Sequence, residues 1–128
     1  MKSYYLLFAG LINLGTAILH VIGGQISLIQ PLLKADLETQ VKAELLGAWH
    51  MVTLILLYTS YVILRNYVKK IDFNQIVLLR FIGYLYVGFG LPSIITSFFY
   101  GLLAPQWILL IPIGIFILIG IRKANHYV

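Results

Sequence analysis

The chain has 128 residues, of which 61% are hydrophobic and only 10% charged, with a formal net charge of +5. A soluble domain carries about 45–50% apolar and about 25% charged residues, so this composition, with a mean hydropathy of +0.96, leaves too little polar surface for a water-soluble fold and points to lipid as the main solvent. The Lys and Arg residues form neither a basic tract nor an aromatic-interleaved stripe, so no nucleic-acid partner is expected, and the absence of Cys removes disulfides and thiolate chemistry.

A membrane-crossing helix needs about 20 mostly apolar residues. Met1-Lys2-Ser3 and the run that follows look superficially like a signal peptide. The run outlasts an h-region and no small-residue cleavage site ends it, so it is read as a retained first span, from Tyr4 to about Ile29. Pro31 biases Gln30 away from helix and is expected to end the span. The stretch from Pro31 to Lys42 is the most polar of the chain, with Asp36 as an N-cap candidate for the next helix. The second span is expected over about 44–64, and Arg65, Lys69, Lys70 and Asp72 form a charged connection. The third covers about 75–100 and contains Arg80 and Pro92. After a tight turn around Gly101 to Pro105 the fourth covers about 106–121, closed by Arg122 and Lys123. The apolar runs are continuous rather than alternating, which excludes a membrane barrel.

The expected fold is therefore an all-α integral membrane protein, with residues 1–128 as one four-helix up-and-down bundle. Lys2, Arg65, Lys69, Lys70, Arg80, Arg122 and Lys123 fall on one side, Lys34 and Lys42 on the other. By the positive-inside rule the termini and the 65–74 loop are cytoplasmic, in what reads as a bacterial inner membrane. Arg80, inside its span, can snorkel back to that interface. Tyr4, Tyr5, Tyr67, Tyr100, Trp107 and Tyr127 read as an interfacial aromatic belt. A faint internal echo relates Phe8-Ala9-Gly10 and Gly15 to Phe81-Ile82-Gly83 and Gly88.

Polar and small residues inside a span indicate its inward face. On the first span these are Asn13, Thr16, His20, Gly24 and Ser27. On the second they are Ala43, Gly47, His50, Leu54 and Tyr61, and on the third Gly83, Tyr86, Gly90, Ser93 and Ser97. The fourth is apolar nearly all round and is expected to be a lipid-facing wall.

His20 and His50 are the sharpest feature. At about 1.5 Å per residue both fall in the outer half of the bilayer on an antiparallel hairpin. There they would line a pocket open to the outer leaflet, with Asn13, Thr16 and Trp49 nearby and Glu44 almost two turns outward of His50. Three functional readings follow: ligation of haem b or a metal ion by the two imidazoles, acid–base chemistry on a quinone or lipid, or solute or proton transport by a small dimer. A haem needs room, which would have to come from Gly23, Gly24 and Gly47, and helix axes about 8–10 Å apart leave little. In a fourth reading the histidines bond to each other, to Thr16, Thr53 or water, and lock the hairpin of a structural or accessory subunit in a larger membrane complex. His126 lies in the tail, outside this group. Pro92, Asn13 and Gln25 are weaker cavity candidates, and Asp36 and Glu38 read as solvated helix-start charges. No nucleotide-binding glycine loop, H-E-x-x-H pair or serine elbow is present.

Overall fold

A computed structural model describes residues 3–69 and 71–125. All regular structure among them is helical: α1 Tyr4–Gly24, a π-helical segment Gln25–Ile29, α2 Gln30–Lys34, α3 Thr39–Val68, α4 Phe73–Tyr100 and α5 Gln106–Asn125. Four helical stretches are long and apolar enough to cross a membrane. Helices satisfy every backbone polar group within one segment, which is the requirement an apolar solvent imposes.

The first stretch runs from Tyr4 to Lys34 without a break, so Pro31 does not end it as expected. Proline clashes with the carbonyl four residues back in an α-helix. Here the turn before it is widened: the Gln30 N–H reaches the Gln25 carbonyl, five residues back. The wider turn makes room for the ring and lets the helix continue one more turn.

The next helix starts at Thr39 with Glu38 as its N-cap residue and no side-chain cap. Asp36 is thus not the cap. Asp72 caps α4 instead, in a capping box: the Gln75 N–H donates to Asp72 Oδ1 at 2.9 Å, and the Asp72 N–H donates to Gln75 Oε1 at 3.2 Å. Gly101, at φ 61°, ends α4 in the left-handed conformation. The Ser97 side chain then accepts the Ala104 N–H at 2.9 Å and fixes the turn into α5.

Packing is unequal around the bundle. Helix α1 lies against both α3 and α5, α4 packs along α5, and α3 meets α4 only lightly. Tyr4 lies beside Tyr67 and His20 stacks on Trp49, so α1 and α3 run antiparallel. Gly83 meets Leu118 and Gly90 meets Ile111, so α4 and α5 do also. The fourth span is therefore not a lipid-facing wall. Ile113, Ile117 and Ile121 are core residues, and Gly114 and Gly120 are buried. The two glycines admit the α4 backbone at Gly83 and the Leu6 side chain of α1. A helix apolar on all sides does not reveal from its own sequence which side its neighbours cover.

The internal echo has a counterpart in packing. Gly10 receives the tip of Leu64, and Gly83 receives the tip of Leu118, whereas Gly15 and Gly88 both face open space. Each hairpin closes on a glycine–leucine contact at the corresponding position.

Candidate functional site

The deepest polar feature is a closed ring of hydrogen bonds joining three helices. Asn13 Nδ2 donates to Thr59 Oγ1 at 2.9 Å, and Tyr86 Oη donates to Asn13 Oδ1 at 2.8 Å. Thr59 Oγ1 and Tyr86 Oη are 2.5 Å apart, and either hydroxyl can be the donor, because Thr59 Oγ1 also faces the Ile55 carbonyl at 2.7 Å. A second N–H of Asn13 reaches the Leu56 carbonyl at 3.2 Å. Flipping the amide would set its oxygen against that carbonyl, so the network fixes its orientation. Asn13 and Tyr86 are fully buried and Thr59 nearly so. Every member is paired, which makes this knot a structural lock for α1, α3 and α4 rather than a reactive centre.

His20 lies two turns further along α1. Its ring stacks on the Trp49 indole with centroids 3.7 Å apart and planes 13° from parallel. His20 Nε2 is 3.2 Å from the Trp49 carbonyl. A carbonyl only accepts, so Nε2 carries the hydrogen, and in the neutral ring Nδ1 keeps its lone pair. The same carbonyl accepts the Thr53 hydroxyl at 3.1 Å. The indole is also seated on Gly24, where a Cβ would come within 1.9 Å of Trp49 Cζ2. The widened turn begins immediately after, at Gln25. Such turns recur at functional sites.

The remaining expected residues are dispersed. Thr16 turns back to its own helix, donating to the Ile12 carbonyl at 2.8 Å. Glu44 is exposed and accepts from Gln40 Nε2 at 3.0 Å, a pair along one helix. His50 is exposed, as are Leu54 and Tyr61. The inward face of α3 is instead the line through Trp49, Thr53, Leu56, Thr59, Ser60, Ile63 and Asn66, at three- and four-residue spacing, from half-buried at Trp49 and Thr53 to fully buried below. The expected inward stripe through His50, Leu54 and Tyr61 thus lies on the exposed side of α3. The hydroxyl and amide line, Thr53, Thr59, Ser60 and Asn66, carried the usable signal and identifies Thr59, which the stripe through His50 omitted.

The room that glycines were expected to provide is only partly there. Trp49 fills the space at Gly24, while Gly23 and Gly47 face open space. Among the described residues no three His, Asp or Glu side chains gather into a metal-binding group. Of the residues expected to form an aromatic belt, those described lie near helix ends. Tyr4 packs on Tyr67, and Tyr5 lies under Lys123, whose Nζ is 4.6 Å from the ring centroid. Tyr100 is exposed, Trp107 borders Gly90, and Tyr127, like His126, lies outside the described residues.

No family model, curated protein or solved structure matches this chain.

Gly24 gives the stacking of His20 on Trp49 a direct test. The indole ring cannot yield 1.9 Å in place, so Gly24→Ala is expected to lift Trp49 off His20. The measurement is tryptophan fluorescence in a Trp107→Phe background, where Trp49 is the sole tryptophan. A shifted emission maximum with helix content retained is the expected result. An unchanged spectrum would mean the indole is not seated on Gly24.

Proposed function

We propose that the chain is an integral protein of a bacterial cytoplasmic membrane, crossing it four times up and down, with both termini and the 65–74 loop in the cytoplasm. The excess of Lys and Arg at the end that carries the termini supports that orientation. In this reading the outer half of the first hairpin binds a hydrophobic ligand with a hydrogen-bonding head, of quinone or lipid type.

The observation that carries the ligand reading is the seating of His20. One ring nitrogen is held by the Trp49 carbonyl and one face is covered by the indole, which leaves Nδ1 as an oriented acceptor with no partner among the described residues. Nδ1 can accept a proton from a hydroxyl or hydroquinone head. Exposed His50, the residue after Trp49, is offered to a ligand lying on the lipid side of the same hairpin. Haem or metal ligation would use His20 Nδ1, or would require the ring to leave Trp49. A macrocycle between His20 and α3 has no gap to enter while the two rings are stacked.

The first measurement is visible absorption of the protein in mild detergent, since a Soret band would move the assignment to haem. The second is quenching of Trp49 by a short-chain quinone in the Trp107→Phe background. Saturable quenching is expected, weakened at least tenfold by His20→Ala. Quenching that only tracks partition of the quinone into the micelle, equal with and without His20, would overturn the ligand reading. If replacing both histidines lowers only thermal stability, they are packing residues, as in an accessory subunit. Flux in liposomes that depends on them would instead indicate the dimeric transporter.

A further inference from the structure

A second site lies at the opposite end of the bundle, away from His20. Helices α4 and α5 border a groove of about 630 Å³ lined by Arg80, Tyr84, Ile115, Leu118, Ile119, Ile121 and Arg122. Its composition is divided: two guanidinium groups and a phenol from the rim, and branched aliphatic side chains from α5 along the wall.

Arg80 is the unusual member. It lies seven residues, about 10 Å of rise, inside α4 from Phe73, in an otherwise apolar stretch. A cation at that depth is costly unless it is paired or reaches the interface. Among the described residues no carboxylate pairs with it. Of the four acidic residues, Asp36, Glu38 and Glu44 belong to the other end, and Asp72 is engaged in capping α4. Neither Arg80 nor Arg122 has an ion-pair partner among the described residues. Two unpaired guanidinium groups from adjacent helices thus share one groove with an apolar wall.

We propose that this groove binds an anionic phospholipid. The phosphate is held between Arg80 and Arg122, and an acyl chain lies against Ile115 and Ile119. The guanidinium fork matches phosphate oxygens in a bidentate way that a point charge does not, and Tyr84 adds a hydroxyl donor one turn along α4 from Arg80. Charge complementarity selects the phosphate, and the aliphatic wall selects a molecule with chains over free phosphate. Basic pockets between membrane helices at the cytoplasmic side bind anionic headgroups in this manner. The inference rests on the membrane reading above, and a chain that stays in solution without detergent would remove that reading before any lipid is compared.

The test uses native mass spectrometry of the full chain released from micelles with equimolar phosphatidylglycerol and phosphatidylcholine. Phosphatidylglycerol is expected to be retained at least fivefold over phosphatidylcholine. The Arg80→Gln/Arg122→Gln variant should lose that preference, and the Arg80→Lys/Arg122→Lys variant should keep only part of it. Ile115→Trp, which fills the groove at an exposed position with both charges intact, should also lose retention. This second route to loss does not depend on the folding of the charge variants. Equal retention of the two lipids by the unaltered chain would overturn the proposal, as would a preference that survives both the Gln pair and Ile115→Trp. Displacement of the lipid by millimolar inorganic phosphate would overturn the lipid assignment in favour of free phosphate.

Discussion

Asn13→Leu is expected to lower the stability of the bundle by about 2–4 kcal/mol. Leucine keeps the branched heavy-atom skeleton of asparagine and is somewhat larger, so the change removes hydrogen bonds without opening a cavity. It removes two donations from Asn13 Nδ2, to Thr59 and Leu56, and the acceptor for Tyr86. Hydrogen bonds between membrane helices average about 0.6 kcal/mol and reach about 1.7 kcal/mol. Leaving a buried polar group without its partner adds about 1–3 kcal/mol. The loss is moderated because Thr59 still reaches the Ile55 carbonyl at 2.7 Å and Tyr86 still has Thr59. Tyr86→Phe should therefore cost less, about 1 kcal/mol, since Asn13 keeps both of its donations. Reversible unfolding in mixed mild-detergent and dodecyl sulfate micelles, followed by circular dichroism, measures both. An Asn13→Leu variant as stable as the parent would show that the ring contributes nothing beyond shape.

Gly114→Leu is expected to be at least as damaging, by separating α4 from α5. A Cβ at Gly114 would come within 2.6 Å of the Gly83 carbonyl oxygen and 3.0 Å of the Val87 nitrogen. Those atoms are backbone and cannot swing aside as a side-chain tip can. Even alanine must push the helices apart, and leucine adds volume where none exists, an overpacking cost of about 1–3 kcal/mol or more. The comparison is with Gly15→Ala and Gly88→Ala, where a Cβ meets nothing within 4 Å. Those changes should be neutral or stabilising by about 0.5–1 kcal/mol, because alanine is the better helix former. The same unfolding measurement ranks all three. Equal effects at Gly114 and Gly88 would mean that the close α4–α5 approach does not hold.

These expectations separate two kinds of glycine that look alike in the sequence. Gly83, Gly88 and Gly90 recur within one turn or two of α4, yet Gly83 and Gly90 face α5 at short range and Gly88 does not. Only the position of the neighbouring helix distinguishes them. The knot behaves similarly. Asn13 and Tyr86 stand out as polar residues in apolar spans, and the inward stripes of α1 and α4 can be traced through them. Their partner Thr59 is less conspicuous. Its hydroxyl can bond its own helix, as Thr16 does at the Ile12 carbonyl, so a threonine in a span does not by itself announce a contact with another helix.

The sequence by itself determined that four long apolar segments form and that all of them are helical. It also set which ends carry the basic residues and which spans carry intramembrane polar groups. Length, hydropathy and the need to satisfy backbone groups within a segment depend on no neighbour, which is why they can be read along one chain. Tertiary structure decided which face of each span turns inward. It buried Thr59 and exposed His50 on the same helix, and it placed the fourth span in the core rather than at its edge. It also paired His20 with Trp49 rather than with His50. In a chain this apolar the inward and outward faces differ little in hydrophobicity. The choice therefore falls to close packing at glycines and to the pairing of a few polar groups, and both require the partner helix to be in place.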